Sequence, residues 1–284
     1  MSDPCSPRID DPSRRNGDVY RVLPEEVERF RRDGYVHLRG VLSPDELARI
    51  EAIYERFMKR EIHVPGKDFC DMSGDYTRPV DEFAVVNVML PTKYHPPLRG
   101  NPYERRAASI AEQLCGADMV IDYDQLLAKR PQRTDAVFAW HQDQAYWPET
   151  PDTRTASFWL AIDDSTLANG CLRFIPGSHR APKLRAHHPL HGDRGKSHTL
   201  VAEVDESRDV VRPVPIARGD VTVHHERVIH GSGGNTTAGW RRAYVLAFRS
   251  RATVAREREL GFTHSHNDAR AVLESVGGQG YRSP

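Results

Sequence analysis

The 284-residue sequence predicts a mainly β protein with flanking helices, built as a β-sandwich or barrel. Short segments rich in Val, Ile, Phe and Trp recur between turn signals in the second half of the chain. The chain lacks the regular alternation of strands and helices that a parallel sheet requires. The predicted strands span residues 119–130, 136–143, 155–163, 171–175, 199–204, 210–216, 220–226 and 241–250.

Three helices are predicted ahead of these strands. The first fits residues 24–33, and the third runs over about residues 103–114. The second opens at Ser43, where a serine, a proline and Glu46 form the start signal known as a capping box. Residues 62–82 show little periodicity, so we expect a loop there that borders a pocket.

The chain is interpreted as one domain over residues 20–284. Residues 1–19 are polar and rich in Arg, Asp and Pro, which predicts a disordered N-terminal segment. Residues 180–212 form the most loop-like stretch inside the domain. Because loops of that length in compact domains are often functional, we expect a lid-like insertion there.

Charge and cysteine content narrow the class of partner. Lys plus Arg equals Asp plus Glu at 40 each, so the chain has no net basic field to attract nucleic acid or an acidic membrane. No stretch approaches the roughly 20 apolar residues of a membrane span. Four cysteines without a CxxC spacing favour a reducing compartment. We expect a cytoplasmic protein that acts on a small molecule; no feature predicts its oligomeric state.

Two short segments carry the strongest chemical signal. His141 and Asp143 are two residues apart on a predicted strand, so both side chains can point to one face. His230 precedes a glycine-rich turn that leaves open space beside its ring. Two imidazoles and one carboxylate are the ligand set that holds non-haem Fe(II) and leaves the opposite positions open. His224 and His225 stay as alternative ligands, although one of two adjacent strand residues must face outward.

An arginine on the last predicted strand fits an anionic co-substrate. On strand 241–250, Arg241 shares a face with small side chains, whereas Arg242 shares the opposite face with large apolar ones. Trp159 lies among small residues in the same way on strand 155–163. Because a guanidinium binds a carboxylate through two parallel hydrogen bonds, Arg241 is predicted to bind an anion inside the cavity.

Further motifs follow in a fixed order along the chain. They are Gly34-Tyr35, Ser43-Pro44, His141-Gln142-Asp143, Phe158-Trp159, Asn169-Gly170-Cys171-Leu172, Pro176-Gly177-Ser178-His179, Gly219-Asp220, His230-Gly231-Ser232-Gly233 and Arg241. This order resembles the phytanoyl-CoA dioxygenase (PhyH) family of Fe(II)/2-oxoglutarate-dependent oxygenases over roughly residues 24–250. The resemblance implies a double-stranded β-helix, which is a jelly-roll or cupin-like barrel with helices packed outside.

The resemblance also implies a role for individual residues. Iron would be held by His141, Asp143 and His230. Arg241 would bind the distal carboxylate of 2-oxoglutarate. The further contacts to 2-oxoglutarate implied by the family are Ser232, Gln125, Trp159 and Asn87. Related halogenases have a small residue in place of the carboxylate ligand, so Asp143 favours hydroxylation over halogenation.

The activity implied is a dioxygenase that uses Fe(II), 2-oxoglutarate and O2 and releases succinate and CO2. Hydroxylation of an unactivated C–H bond in a small metabolite, in specialised metabolism or a similar setting, is the main hypothesis. Desaturation, epoxidation or cyclisation are alternatives that start from the same oxidant. A metal-dependent cupin-like hydrolase or isomerase without 2-oxoglutarate is an alternative of another class. Tyr146 and Trp147, with the 62–82 and 180–212 loops, are the predicted substrate contacts.

Overall fold

The computed structural model describes residues 11–276 and confirms a mainly β fold with flanking helices. The helices are α1 (Pro24–Asp33), α2 (Pro44–Met58), α3 (Pro91–Tyr94), α4 (Pro102–Cys115), α5 (Arg251–Glu259) and α6 (Ala269–Val276). The strands are β1 (Arg15–Asn16), β2 (Val19–Tyr20), β3 (Tyr35–Leu38), β4 (Phe69–Asp71), β5 (Val85–Met89), β6 (Met119–Lys129), β7 (Phe138–His141), β8 (Thr155–Ala161), β9 (Leu172–Phe174), β10 (His187–Pro189), β11 (Leu200–Ala202), β12 (Arg212–Val214), β13 (Val221–His224), β14 (His230–Ser232) and β15 (Arg241–Ser250).

Two antiparallel sheets form the double-stranded β-helix. The larger has seven strands in the order β3-β13-β8-β15-β6-β5-β4, and the smaller has four in the order β12-β9-β14-β7. Large apolar side chains from both sheets, including Trp159 and Phe174, pack in one buried cluster between them. The functional residues are therefore carried on the inner faces of two sheets that share a core.

The helices cover the outer face of the seven-stranded sheet. Ser43 caps α2 with its hydroxyl, and the side chain of Glu46 accepts a hydrogen bond from the Ser43 backbone, as the sequence predicted. Leu47 and Ile50 of α2 belong to the same buried cluster as Phe158 of β8. Within residues 11–276, no helix combines the length and hydrophobicity needed to cross a bilayer.

The predicted faces of β8 and β15 are confirmed. Phe158 and Leu160 pack on the helix side, whereas Trp159 packs between the sheets. Arg241 is buried on the inner side, with 3 % of its surface exposed. Arg242 points outward, where it pairs with carboxylates of α2 and of the β8–β9 connection. Alternation along a strand thus separates two adjacent arginines into two environments.

The structure differs from the predicted N-terminal disorder for residues 11–19, while residues 1–10 lie outside the described part of the chain. A helical turn and the β1–β2 hairpin form here. Arg14 pairs with Glu26 and also donates to the carbonyl of Arg21. The hydroxyl of Tyr20 donates to the carbonyl of Arg39 at 2.8 Å. Arg14, one of the charged residues behind the prediction of disorder, therefore has hydrogen-bond partners in the folded domain.

The insertion at residues 180–212 contains the antiparallel β10–β11 hairpin. The hydroxyl of Thr199 donates to the carbonyl of Met72 at 2.6 Å, which ties the insertion to the 62–82 loop. The backbone N–H of Gln142 donates to Nε2 of His187 at 3.1 Å. The insertion therefore lies over the segment that carries His141. Its closure as a lid stays a prediction.

Candidate metal centre and its two cavities

The structure brings His141, Asp143 and His230 together at one point. His141 ends β7 and pairs in register with His230 of β14, so the two imidazoles come from neighbouring strands. Nε2 of His141 lies 3.3 Å from Oδ1 of Asp143, and Nε2 of His230 lies 3.6 Å from the same oxygen. The three ligand atoms lie within 4.8 Å of one another, a spacing that one metal ion can bridge.

Local structure differs from the expectation at two of these residues. Asp143 does not continue the strand but begins a short 3-10 turn, Asp143–Tyr146. The glycine-rich turn expected directly after His230 does not begin there, because His230–Ser232 form β14 between β9 and β7. The side chains still converge, since the turn redirects the carboxylate toward the paired histidines.

Both histidines are oriented by the backbone. Nδ1 of His141 hydrogen-bonds the carbonyl of Ala139 at 2.8 Å, and Nδ1 of His230 hydrogen-bonds the carbonyl of Val228 at 3.1 Å. A carbonyl only accepts, so each Nδ1 carries the proton and each Nε2 presents its lone pair. Hydrogen bonds of this kind fix the tautomer and ring direction of metal-binding histidines.

The protonation states also suit a cation. Burial alone would raise the pKa of Asp143, but the surrounding histidines, His230 first and then His141 and His224, hold it well below its usual range. Burial and the neighbouring His141 hold the pKa of His230 well below its ordinary value. An ionised carboxylate and a neutral imidazole are the forms that coordinate metal.

Two further side chains support Asp143. Ser157 donates its hydroxyl to Oδ2 at 3.1 Å, and Nε2 of His224 lies 3.3 Å from the same oxygen. His224 is buried, whereas its neighbour His225 lies on the opposite side, against His179. Of the two alternative ligands, only His224 reaches the site, and it contacts the carboxylate that the other two histidines share.

One cavity opens from the metal centre between the sheets. Four of the predicted co-substrate residues line it, namely Arg241, Ser232, Gln125 and Trp159. The guanidinium of Arg241 lies 5.0 Å from the centroid of the Trp159 ring, a cation–π distance. We call this the co-substrate cavity.

Arg241 lines this cavity, and Lys129 does not line it but hydrogen-bonds the lining residue Ser232; we call these two residues the cation pocket. They are paired in register on β15 and β6, and no ion pair with a carboxylate is found for either among residues 11–276. Nζ of Lys129 donates to Oγ of Ser232 at 2.7 Å and to the carbonyl of Gly233. Nε of Arg241 has no hydrogen-bond partner among the described residues. Burial lowers the pKa of Arg241 to about 10, so the side chain is still a cation at neutral pH.

Asn87 lies behind the co-substrate cavity rather than on its wall. It is fully buried, and its amide oxygen accepts a hydrogen bond from Nε2 of Gln125 at 2.6 Å. Its own amide lies 3.6 Å from the sulfur of Cys70. This placement favours a role in orienting Gln125 over the direct contact that the sequence predicted.

A second cavity also borders His141 and Asp143. Tyr146 and Trp147 line it, as do the stacked rings of His198 and His266, whose centroids lie 3.7 Å apart. Residues of the C-terminal segment close it, namely Phe262, His264, His266 and Ala269. We call this the aromatic cavity. Sequence analysis missed the C-terminal residues because they lie beyond every motif.

The two cavities meet at one metal centre but differ in chemistry. The co-substrate cavity leads to the cation pocket, whereas the aromatic cavity is lined by aromatic rings. One metal ion could therefore be reached by an anion from the first cavity and by an organic molecule from the second. This arrangement, with two histidines and one carboxylate at the metal site, is the one expected of 2-oxoglutarate-dependent non-haem iron oxygenases. The family model described as phytanoyl-CoA dioxygenase (PhyH) matches residues 30–243, more than half of the chain. The chain belongs to the PhyH family.

Individual relatives agree with this assignment. Peroxisomal phytanoyl-CoA dioxygenase of Rattus norvegicus is 25 % identical over 257 residues, which cover 88 % of this chain and 74 % of the relative. The structure of EvdO2 from Micromonospora carbonacea var. aurantiaca is 32 % identical, with a TM-score of 0.66 over 82 % of this chain and 92 % of that one. SnoK, a non-haem α-ketoglutarate-dependent carbocyclase from nogalamycin biosynthesis, is 26 % identical, with a TM-score of 0.63 over 81 % of this chain and 84 % of that one.

Proposed function

We propose that this oxygenase binds Fe(II) through His141, Asp143 and His230 and hydroxylates a C–H bond of a small organic molecule, with 2-oxoglutarate and O2 as co-substrates. The observation that carries the proposal is the cation pocket, in which a buried guanidinium opens toward the three candidate ligands without a carboxylate partner among the described residues. A buried charge without a partner is costly, and an anionic ligand removes that cost.

The comparison with EvdO2 supports the choice of anion. One of its structures, 29 % identical with a TM-score of 0.65, is complexed with 2-oxoglutarate. A dicarboxylate matches the co-substrate cavity, because one carboxylate can reach the candidate metal while the other meets Arg241 and Ser232. The bidentate geometry of a guanidinium suits the distal carboxylate better than a point charge would.

The chain's own residues then perform four tasks. The histidines present lone pairs, Asp143 adds a negative charge, Arg241 orients the dicarboxylate, and the cavity walls exclude water. When bound, iron supplies the oxidation chemistry that couples conversion of 2-oxoglutarate to succinate and CO2 with oxidation of a C–H bond. The protein contributes position and environment, while the metal centre contributes reactivity.

Oxidative cyclisation is the second candidate outcome. SnoK is a carbocyclase, and its similarity to this chain spans most of both proteins. The position of the substrate carbon relative to the metal decides between hydroxylation and ring formation, and the aromatic cavity sets that position. The hydrolase or isomerase alternative has no use for the cation pocket and finds no support among the relatives.

Anaerobic titration tests the cofactor assignment. Fe(II) followed by 2-oxoglutarate should give the weak visible charge-transfer band of the chelate. His141→Ala should abolish the band, whereas the same change at the exposed His188 should leave it intact. Arg241→Lys should weaken 2-oxoglutarate binding, and the matched change Arg242→Lys on the opposite face should not. Absence of the band in iron-loaded wild type would refute the proposal.

A further inference from the structure

His264 holds an unusual position in the wall of the aromatic cavity. Its Nε2 lies 2.8 Å from Oδ2 of Asp122 and 3.1 Å from Oε2 of Glu257. Both carboxylates are fully buried side chains that do not line the cavity, whereas His264 does. The ring also packs against Tyr123, with centroids 4.4 Å apart. One edge of the imidazole is therefore anchored behind the wall, and the ring itself forms part of the wall.

The other ring nitrogen is available to a ligand. No hydrogen bond to Nδ1 of His264 is found from any residue between 11 and 276. The two nitrogens of an imidazole point in divergent directions, so a ring whose Nε2 faces two carboxylates turns Nδ1 away from them. The sequence distance of 142 residues between Asp122 and His264 explains why no local motif reveals this contact.

The backbone of His264 adopts an uncommon conformation. His264 has φ +64°, in the left-handed region that non-glycine residues adopt at a cost. Strained positions of this kind persist where the surrounding structure holds them, and they concentrate at ligand-binding sites. The strain at His264 is held by its two carboxylate contacts, which fix the direction of the ring.

The cluster behind His264 is a closed charge network and not a second metal site. We use the name carboxylate network for Asp122, Glu257, Arg249, Arg258 and His264. Its three acid and imidazole members have the spacing that a metal ion could bridge. Arg258 donates to Asp122 at 2.5 Å, and Arg249 pairs with Glu257, so guanidinium groups already occupy the carboxylates. What the network leaves exposed to the cavity is the imidazole.

The charge state fits a hydrogen-bond donor. Burial alone would lower the pKa of His264, but Asp122 and Glu257 outweigh it and raise the pKa above the ordinary value. A protonated ring carries hydrogen on both nitrogens. Because its charge is already compensated by the two carboxylates, the exposed N–H favours an uncharged acceptor over a second anion.

We propose that His264 is a substrate-binding residue whose Nδ1 hydrogen-bonds an uncharged carbonyl or hydroxyl oxygen of the substrate. The substrate class is thus a neutral, oxygen-bearing ring compound, because Tyr146, Trp147 and Phe262 supply apolar ring surfaces around the anchored imidazole of His264. This inference rests on the proposed function, since it places the oxygen beside the candidate metal centre. The bond would fix which substrate carbon faces that centre.

Two isosteric substitutions separate binding from structure. In His264→Asn, the side-chain amide reaches roughly the position of Nδ1 and loses the carboxylate contacts; asparagine also tolerates a positive φ. In His264→Gln, the amide reaches roughly the position of Nε2 and loses the donor to the cavity. A binding role therefore requires the Asn variant to resemble wild type, and a purely structural role requires the Gln variant to do so.

The probes are cyclohexanone and methylenecyclohexane, which share shape and differ in the acceptor oxygen. Binding is measured by ligand-observed NMR on protein loaded with Zn(II) and 2-oxoglutarate, which is diamagnetic. The ratio of ketone to alkene affinity should be about tenfold higher in wild type than in His264→Gln, and the ratio in His264→Asn should be close to that of wild type. Retention of the wild-type ratio in His264→Gln, or the absence of ketone binding in wild type, would overturn the proposal.

A parallel measurement keeps the two proposals distinct. The Fe(II)–2-oxoglutarate band is recorded for the same three proteins. A normal band with no ketone preference would refute the role of His264 and leave the oxygenase assignment intact. Loss of the band in wild type would refute the assignment itself, whatever the ketone ratio.

Discussion

The cation pocket and the carboxylate network are both buried beside the metal centre, yet their charges are arranged in opposite ways. Arg241 and Lys129 of the cation pocket have no carboxylate partner among the described residues. Arg249 of the network contacts Glu257 and lies 3.3 Å from Glu226. Burial of a charged side chain thus does not mark a binding site by itself. The missing partner marks it, because a ligand must supply the opposite charge.

The largest effect on stability is expected in the carboxylate network, where buried charges of opposite sign are paired. Arg249→Met removes the only cation paired with the buried Glu226 among the described residues and leaves Glu257 with Arg258 and His264 alone, so the free energy of unfolding should fall by about 3–5 kcal/mol. Urea denaturation measures the loss. Arg256→Met, which removes only an exposed pair with Glu259, should cost less than about 1 kcal/mol. Equal losses in the two variants would contradict the comparison.

The same substitution in the cation pocket, from arginine to methionine, should impair ligand binding and leave the stability of the protein intact. Arg241→Met removes a buried cation that has no carboxylate partner among the described residues, so protein free of ligand should unfold at the same temperature or higher. The KM for 2-oxoglutarate should rise about 100-fold or more, because a bidentate charged contact is lost. Thermal unfolding with and without 2-oxoglutarate, together with succinate release, checks both parts. A large loss of stability without ligand would show that Arg241 is structural.

Lys129 should contribute less than Arg241, because its Nζ acts through Ser232 and the side chain does not line the cavity. Burial and the nearby Arg241 hold the pKa of Lys129 well below its usual value, which shows how costly its charge is. Lys129→Met should weaken 2-oxoglutarate binding about tenfold, through loss of the contact that orients Ser232. Calorimetric titration measures this change. An unchanged affinity would remove Lys129 from the cation pocket's function.

The smallest effect is a pH dependence of the carboxylate network. The pKa of His264 is raised in the folded protein, so the stability it contributes is fully present below its unfolded value of about 6.5. That contribution is lost as pH rises through the folded pKa. The difference in unfolding free energy between wild type and His264→Asn should therefore shrink from pH 6 to pH 9. A difference that grows with pH would reverse the sign and refute the assignment.

The sequence predicted much of the metal centre, since its signals are local. His141 and Asp143 stand two residues apart, and Arg241 is separated from Arg242 by strand alternation alone. The structure places these residues as expected, although the roles assigned to them are still proposals. Only the family resemblance implies that Asn87 contacts 2-oxoglutarate. The structure places Asn87 behind Gln125 rather than on the wall of the co-substrate cavity.

Contacts that depend on strand register escaped sequence analysis. Lys129 is the last residue of β6 and belongs to no motif, and only its pairing with Arg241 brings it to the cation pocket. His264 lies past the end of every motif and meets Asp122 through the chain's return across the sheet. No periodicity or spacing within one segment carries such information. The residues of the co-substrate cavity could therefore be predicted from sequence better than those of the aromatic cavity.

The pairing of His141 with His230 gives the candidate metal a mechanical role. β7 is a four-residue strand at the end of its sheet, and its ladder with β14 is irregular between His230 and Ser232. An ion held by both imidazoles would act as a reversible cross-link between these strands. Chelation should then loosen an edge and expose unpaired backbone that can join another chain. Metal binding would thus stabilise this edge of the sheet as well as prepare the site for catalysis.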